Sequence, residues 1–132
     1  MTMAKKIEKI EATDLVYATD DPDRIVVWPC FADVPMADGV VARKKFDCAF
    51  KIAPSERVEQ YVKDFASSDI GGAAAMLALV DEYLTGFPTL KTEGGIAPDY
   101  QTVKASFCAK PFMLRAMVEG LLGMSSGREA KN

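Results

Sequence analysis

Residues 43–65 read RKKFDCAFKIAPSERVEQYVKDF, and the period of the apolar residues changes inside this one stretch. Phe46, Cys48, Phe50 and Ile52 occupy every second position, with Lys45, Asp47 and Lys51 between them. Side chains of a strand alternate between faces, so the pattern predicts a half-buried strand from Arg43 to Ile52. After Pro54 the apolar set becomes Val58, Tyr61, Val62 and Phe65, spaced i, i+3, i+4, i+7, while Glu56, Arg57, Glu59, Gln60, Lys63 and Asp64 fill the other side. That period is helical, and it predicts a surface helix with one buried stripe.

Upstream, Arg24 to Ala32 contains Ile25, Val26, Val27, Trp28 and Phe31, a β-branched and aromatic run broken by Pro29. Proline has no amide hydrogen to give to a ladder, which points to an edge strand or a bulge. Asp33 to Gly39, with Pro35 and Asp38-Gly39, has the composition of a turn, so the two runs read as a β-hairpin. The cluster Asp20, Asp21, Pro22, Asp23 separates this hairpin from a charged segment, 1–23, expected to be a flexible arm. These acidic residues lack the spacing of a calcium loop and read as a solvated turn.

Downstream, Ser67, Ser68, Asp69, Gly71 and Gly72 interrupt the helical pattern. A second helix is expected from Ala73 to Leu84, with Met76, Leu79, Val80 and Tyr83 on one face and Leu77 and Leu84 beside them. Its first two turns carry no charge, which predicts burial in the domain or against another subunit. Gly86, Phe87 and Pro88 end it, and the loop to Ala97 contains Gly94-Gly95 without the surrounding pattern of a phosphate loop. Pro98 and Pro111 suit the first positions of a third and a fourth helix. The third carries Tyr100, Val103, Phe107 and Cys108; the fourth carries Leu114, Met117, Val118 and Leu121, widened by Phe112, Met113 and Leu122. Residues 125–132 read as a flexible polar tail. The expected fold is therefore α+β, predominantly α-helical: one domain over 24–124, an N-terminal β-hairpin followed by about four helices.

The 132 residues contain no histidine, which removes His-based triads, His general bases and His-ligated metals together. Cys30, Cys48 and Cys108 lie far apart with no C-x-x-C spacing and have apolar neighbours, as expected of buried reduced thiols in a cytosolic protein. Asp81 and Glu82 are adjacent on a helix and point about 100° apart, so they do not form a facing acid–base pair. Lys104 and Lys110 flank aromatic residues and are expected to lay their stems there with the ammonium in water. A net charge of −3 argues against nucleic acid. No apolar stretch approaches the roughly 20 residues a membrane helix needs. The reading is of a non-enzyme with no metal and no cofactor. Seven methionines, among them Met76, Met113, Met117 and Met124, offer adaptable apolar surface for partners.

The segment KFDCAFKIAPSE, the helix after it, and LVDEYLTGFPTLKTEGGIAPDYQTVKASFCAKPFMLRAMVEGLLG together resemble the tail assembly chaperones of long-tailed bacteriophages of the HK97 type. The resemblance covers roughly residues 24–132. It rests on the F-x-x-x-F-K strand before a Pro-Ser-Glu helix start, the L-x-G-aromatic turn at Leu84, Gly86 and Phe87, an acidic glycine-containing loop, and the last helix, LRAMVEGLL, running into a polar tail. Phe87 stands where the family pattern most often has Trp. The resemblance implies a protein that coats the helical, aggregation-prone tape measure protein in the host bacterial cytoplasm, self-associates into an open or spiral array, and is absent from the mature virion. It also implies a longer form made by programmed frameshift, through which the tail tube protein is reached; the ending Ala130-Lys131-Asn132 can be encoded by a slippery run. Leu84, Phe87, Met113, Met117 and Leu121 are the candidate partner or self-association surface. Two other readings compete: a minor structural head-tail or tail protein of a phage, and a small nucleic-acid-binding regulator.

Overall fold

A computed structural model describes residues 24–67 and 72–128. The expected arm, 1–23, with its acidic turn cluster, lies outside the described residues, as do 129–132 of the tail. The described residues form a three-stranded antiparallel sheet and four helices, α+β with the helices dominant: β1 (Val26–Pro35), β2 (Val41–Phe50), α1 (Ser55–Ala66), α2 (Ala73–Tyr83), β3 (Leu84–Gly86), α3 (Tyr100–Cys108) and α4 (Pro111–Ser125).

The hairpin is longer than its turn residues suggest. Pairing runs from Val26 opposite Phe50 to Pro35 opposite Val41, so Asp33, expected in the turn, stands in the ladder opposite Arg43. Its carboxylate accepts a hydrogen bond from Arg43 Nη1 at 3.0 Å, and this cross-strand pair offsets the poor strand propensity of Asp. The turn itself is compressed into Ala37–Gly39, where Asp38 and Gly39 both take positive φ and Met36 N–H reaches Val40 O. Pro29 lies within β1, an edge strand in the order β1-β2-β3.

The inward face of the hairpin carries Cys30, Ala32, Phe46, Cys48 and Phe50, all buried. Across them lies α4, which buries Met113, Leu114, Ala116, Met117, Val118, Leu121 and Met124. Pro111 opens α4, where its missing N–H costs nothing because the first helical amides have no partner within the helix. The helix comes closest at Gly120, where a Cβ would stand 2.5 Å from Cys30 Sγ and 3.8 Å from a ring carbon of Phe50. A glycine at mid-helix sacrifices about 0.5–1 kcal/mol of helix propensity relative to alanine. Here it lets the backbone rest on the sheet.

β3 was not legible in the pattern: three residues are too few to show a period. Leu84 and Gly86 pair with Phe50 and Ala49 on β2, reinforced by Lys51 N–H to Tyr83 O and by the Thr85 hydroxyl to Ala49 O. Pro98 does not open α3; Asp99 is its N-cap, with a carboxylate oxygen accepting from Thr102 N–H at 3.0 Å, and Pro98 precedes it. The tail begins later than expected, because Ser125 is the last residue of α4 and its hydroxyl accepts from Ala53 N–H at 3.0 Å.

The Gly120 contact yields a paired expectation. Gly120→Val should lower the urea unfolding free energy by about 1–3 kcal/mol through overpacking against Cys30. Gly123→Ala, three residues on and with nothing within 4 Å of the new Cβ, should leave it unchanged or raise it by up to about 1 kcal/mol. Equal effects at the two sites would contradict the packing described.

Candidate interaction surface

Of the five residues expected at a partner surface, four are in the core. Leu84, Met113, Met117 and Leu121 are buried, Met117 and Leu121 completely. They cannot meet a partner without unfolding, and their apolarity serves the sheet and α4. Phe87 is half-buried and belongs to an aromatic cluster: its ring meets Phe107 edge-on at 5.2 Å and Tyr100 at 5.7 Å, and Phe107 meets Phe46 at 5.4 Å. The Tyr100 hydroxyl donates to Leu84 O at 3.0 Å, and the Thr89 hydroxyl to Asp47 Oδ2 at 3.0 Å. The L-x-G-aromatic turn is thus a clasp that fastens α3 and the following loop onto β2.

The open apolar surface lies instead on α1 and α2. The stripe of α1 is only partly covered: Tyr61 is buried, whereas Val62 and Phe65 are 56% and 41% exposed. On α2 only Leu79 and Val80 are buried, and Leu77 is 41% exposed beside exposed Ala73, Ala74 and Ala78. Of the two expected ways of burying α2, in the domain or against another subunit, the first is not met among the described residues, where no second layer covers its outer side. The two helices meet through Phe65, whose ring lies over Gly72; a Cβ there would be 2.2 Å from Cδ2, and Gly72 has φ +78.

The chemical groups around these elements are engaged with one another. Arg57 on α1 holds Glu82 on α2 with two hydrogen bonds, 2.7 and 3.1 Å, which keep the Glu82 carboxyl below its usual range. Lys104 lies 2.6 Å from Asp81, and this contact raises its pKa, the opposite of what an amine base requires. The Cys48 thiol is pushed up by its hydrogen bond with Cys30 and by burial, and burial also raises that of Cys108. Both are held in the unreactive thiol form. Among the described residues no group of three or more Cys, Asp or Glu side chains is placed to hold a metal ion. Among them, too, no helix is long and apolar enough to cross a membrane.

A second feature is a groove of about 280 Å³ between the hairpin and α4, lined by Trp28, Pro29, Cys30, Phe31 and Arg43 on one side and by Ala116, Glu119, Gly120, Gly123 and Arg128 on the other. Comparison of the chain with models of protein families, with curated proteins and with solved structures gives no match.

The Arg57–Glu82 pair carries a pH signature. A carboxyl whose folded pKa is depressed contributes stability above its unfolded pKa, about 4.3, and the contribution is lost as pH falls through the lower folded value. With Glu82 half exposed, the pair is worth about 0.2–1 kcal/mol. The Glu82→Gln variant should therefore be slightly less stable than the parent at pH 7 and should approach it near pH 3 in urea titrations. A difference that stays constant between the two pH values would contradict this.

Proposed function

We propose that this chain is a tail assembly chaperone of a long-tailed phage, a non-enzymatic protein that covers the apolar surface of the tape measure protein until the tail tube forms around it. The observation that carries this reading is the exposed apolar surface of α1 and α2, Val62, Phe65 and Leu77 on two adjoining helices. Such a surface suits an amphipathic helix laid along it, with apolar anchors spaced i, i+3, i+4. The sequence resemblance in the strand, the clasp and the last helix supports the same role.

Magnitudes favour a transient coat. Full burial of one such side chain is worth about 1.5–3 kcal/mol, and each of the three is already about half covered, so one contact supplies on the order of 2–5 kcal/mol. That corresponds to roughly millimolar affinity or weaker at a single site before the costs of association. A long filament offering many equivalent sites converts weak contacts into firm coverage when the copies also touch one another, as heterologous self-association allows. Weak individual contacts also permit displacement when the tube polymerises. In this reading the protein acts in the host bacterial cytoplasm and leaves before the virion is complete, and a longer frameshifted form would contact the tail tube protein.

Co-expression with the tape measure protein of the same phage tests this. The parent chain should bring it into the soluble fraction and co-purify with it. The double variant Val62→Asp, Leu77→Asp, which leaves the Phe65 contact between α1 and α2 in place, should stay folded by circular dichroism and leave the tape measure protein in the pellet. An insoluble tape measure protein with the parent chain, or equal rescue by the folded double variant, would overturn the proposal.

A further inference from the structure

The direction of the backbone along β1 follows from one hydrogen bond at the turn. Met36 N–H donates to Val40 O at 2.7 Å, and in an antiparallel ladder hydrogen-bonded pairs alternate with non-bonded ones. Counting back along the register, Val34, Ala32, Cys30 and Trp28 turn their amides and carbonyls toward Ala42, Lys44, Phe46 and Cys48 on β2. β2 agrees from its other side, where Ala49 O accepts from the Thr85 hydroxyl and Lys51 N–H donates to Tyr83 O. Val27, Pro29, Phe31, Asp33 and Pro35 therefore face their backbone away from β2, to a side where no further strand lies among the described residues.

Such an edge is a template for pairing with another chain, and this one is apolar as well, with Ile25 and Val27 57% and 53% exposed. Yet both prolines of β1 fall in the outward set, and neither has an amide hydrogen to give. An added strand of about five or six residues would span three successive outward positions. Those are Val27-Pro29-Phe31, Pro29-Phe31-Asp33 or Phe31-Asp33-Pro35, and each includes a proline. Wherever the strand lay, one of its carbonyls would meet a proline ring in place of an N–H, and a buried acceptor without a donor is costly.

Charge guards the same flank. Arg43 lies over the Phe31 ring, 5.6 Å from its centroid, and is tied to Asp33 on the edge itself. Glu119 and Arg128 stand with Arg43 around the groove between the hairpin and α4. Arg128 is fixed at the end of α4 by its N–H to Gly123 O at 2.9 Å, next to Gly127 in the left-handed conformation. A strand laid along this groove would have to strip water from all three charged groups.

We infer that Pro29 and Pro35, at backbone-outward positions of β1, with Arg43, Glu119 and Arg128 beside them, keep this edge from taking up a strand of another molecule. The device withholds the sheet from β-pairing with partners and with further copies, and leaves association to side chains on other faces. It rests on the ladder and the groove and is independent of the proposed function.

Aggregation of the full chain tests it. Threonine is β-branched, restores the N–H and adds no apolar side chain, so Pro29→Thr, Pro35→Thr separates the amide from hydrophobicity. Under agitation at physiological temperature, the double variant should form thioflavin-T-positive aggregates about tenfold faster than the parent. Pro29→Thr alone, which opens two of the three windows, should be intermediate, and Pro35→Thr alone should be slower still. Adding Val27→Lys to the double variant should return the rate to that of the parent, because a lysine on an edge opposes pairing. Protection of the Cys30 and Cys48 amides from hydrogen exchange reports in the same samples that the β1–β2 ladder is kept, and the single variants carry the test should the double variant lose it. Equal rates for the parent and the folded variants, or a double variant whose rate Val27→Lys leaves unchanged, would overturn the inference.

Discussion

The contact on which the structure depends is the approach of α4 to the hairpin at Gly120. With no side chain there, the helix backbone comes down on Cys30 and Phe50, and the flanking Met117 and Leu121 can be wholly buried. Close-packed interiors respond to a change of a single methylene, so one larger residue at this point would lift the helix along its length. The register of the hairpin matters equally. A slip of β2 by one residue would turn Cys48 and Phe50 outward and present Lys45 and Asp47 to α4.

That single layer of helix on sheet has a consequence for function. α4 consumes the apolar stripe with the richest methionine content, and the core is complete without the outer sides of α1 and α2. Phe65 and Leu77 are left partly open, whereas Cys30 and Cys48 are buried, Glu82 and Lys104 are paired and Asp99 caps α3. Apolar area left open in this way is what the proposed association would cover.

The hairpin and the helices were readable because period reports local geometry: Phe46, Cys48 and Phe50 alternate, and Val58, Tyr61 and Phe65 recur helically. The candidate surface was not readable for a related reason. Period says which residues share a face, and says nothing about whether another layer covers it. Met113, Met117 and Leu121 look like partner contacts until the hairpin is seen to need them, and Val62 looks like core until no layer is found above it among the described residues. β3 escaped because pairing of Leu84 and Gly86 with β2 is a long-range event that three residues cannot announce. Phe87, expected at a partner surface, instead makes ring contacts with Tyr100 and Phe107, which lie across a loop and not along a helix face.

The division between a consumed α4 face and an open α1–α2 face is measured most directly by hydroxyl-radical footprinting of the full chain, read by mass spectrometry. Met113, Met117 and Met124 should be oxidised far more slowly than Met36, which is 51% exposed at the hairpin tip, and Phe65 and Leu77 should react as open side chains. Oxidation of Met117 as fast as that of Met36, with Phe65 and Leu77 protected, would mean that the two faces had been assigned the wrong way round.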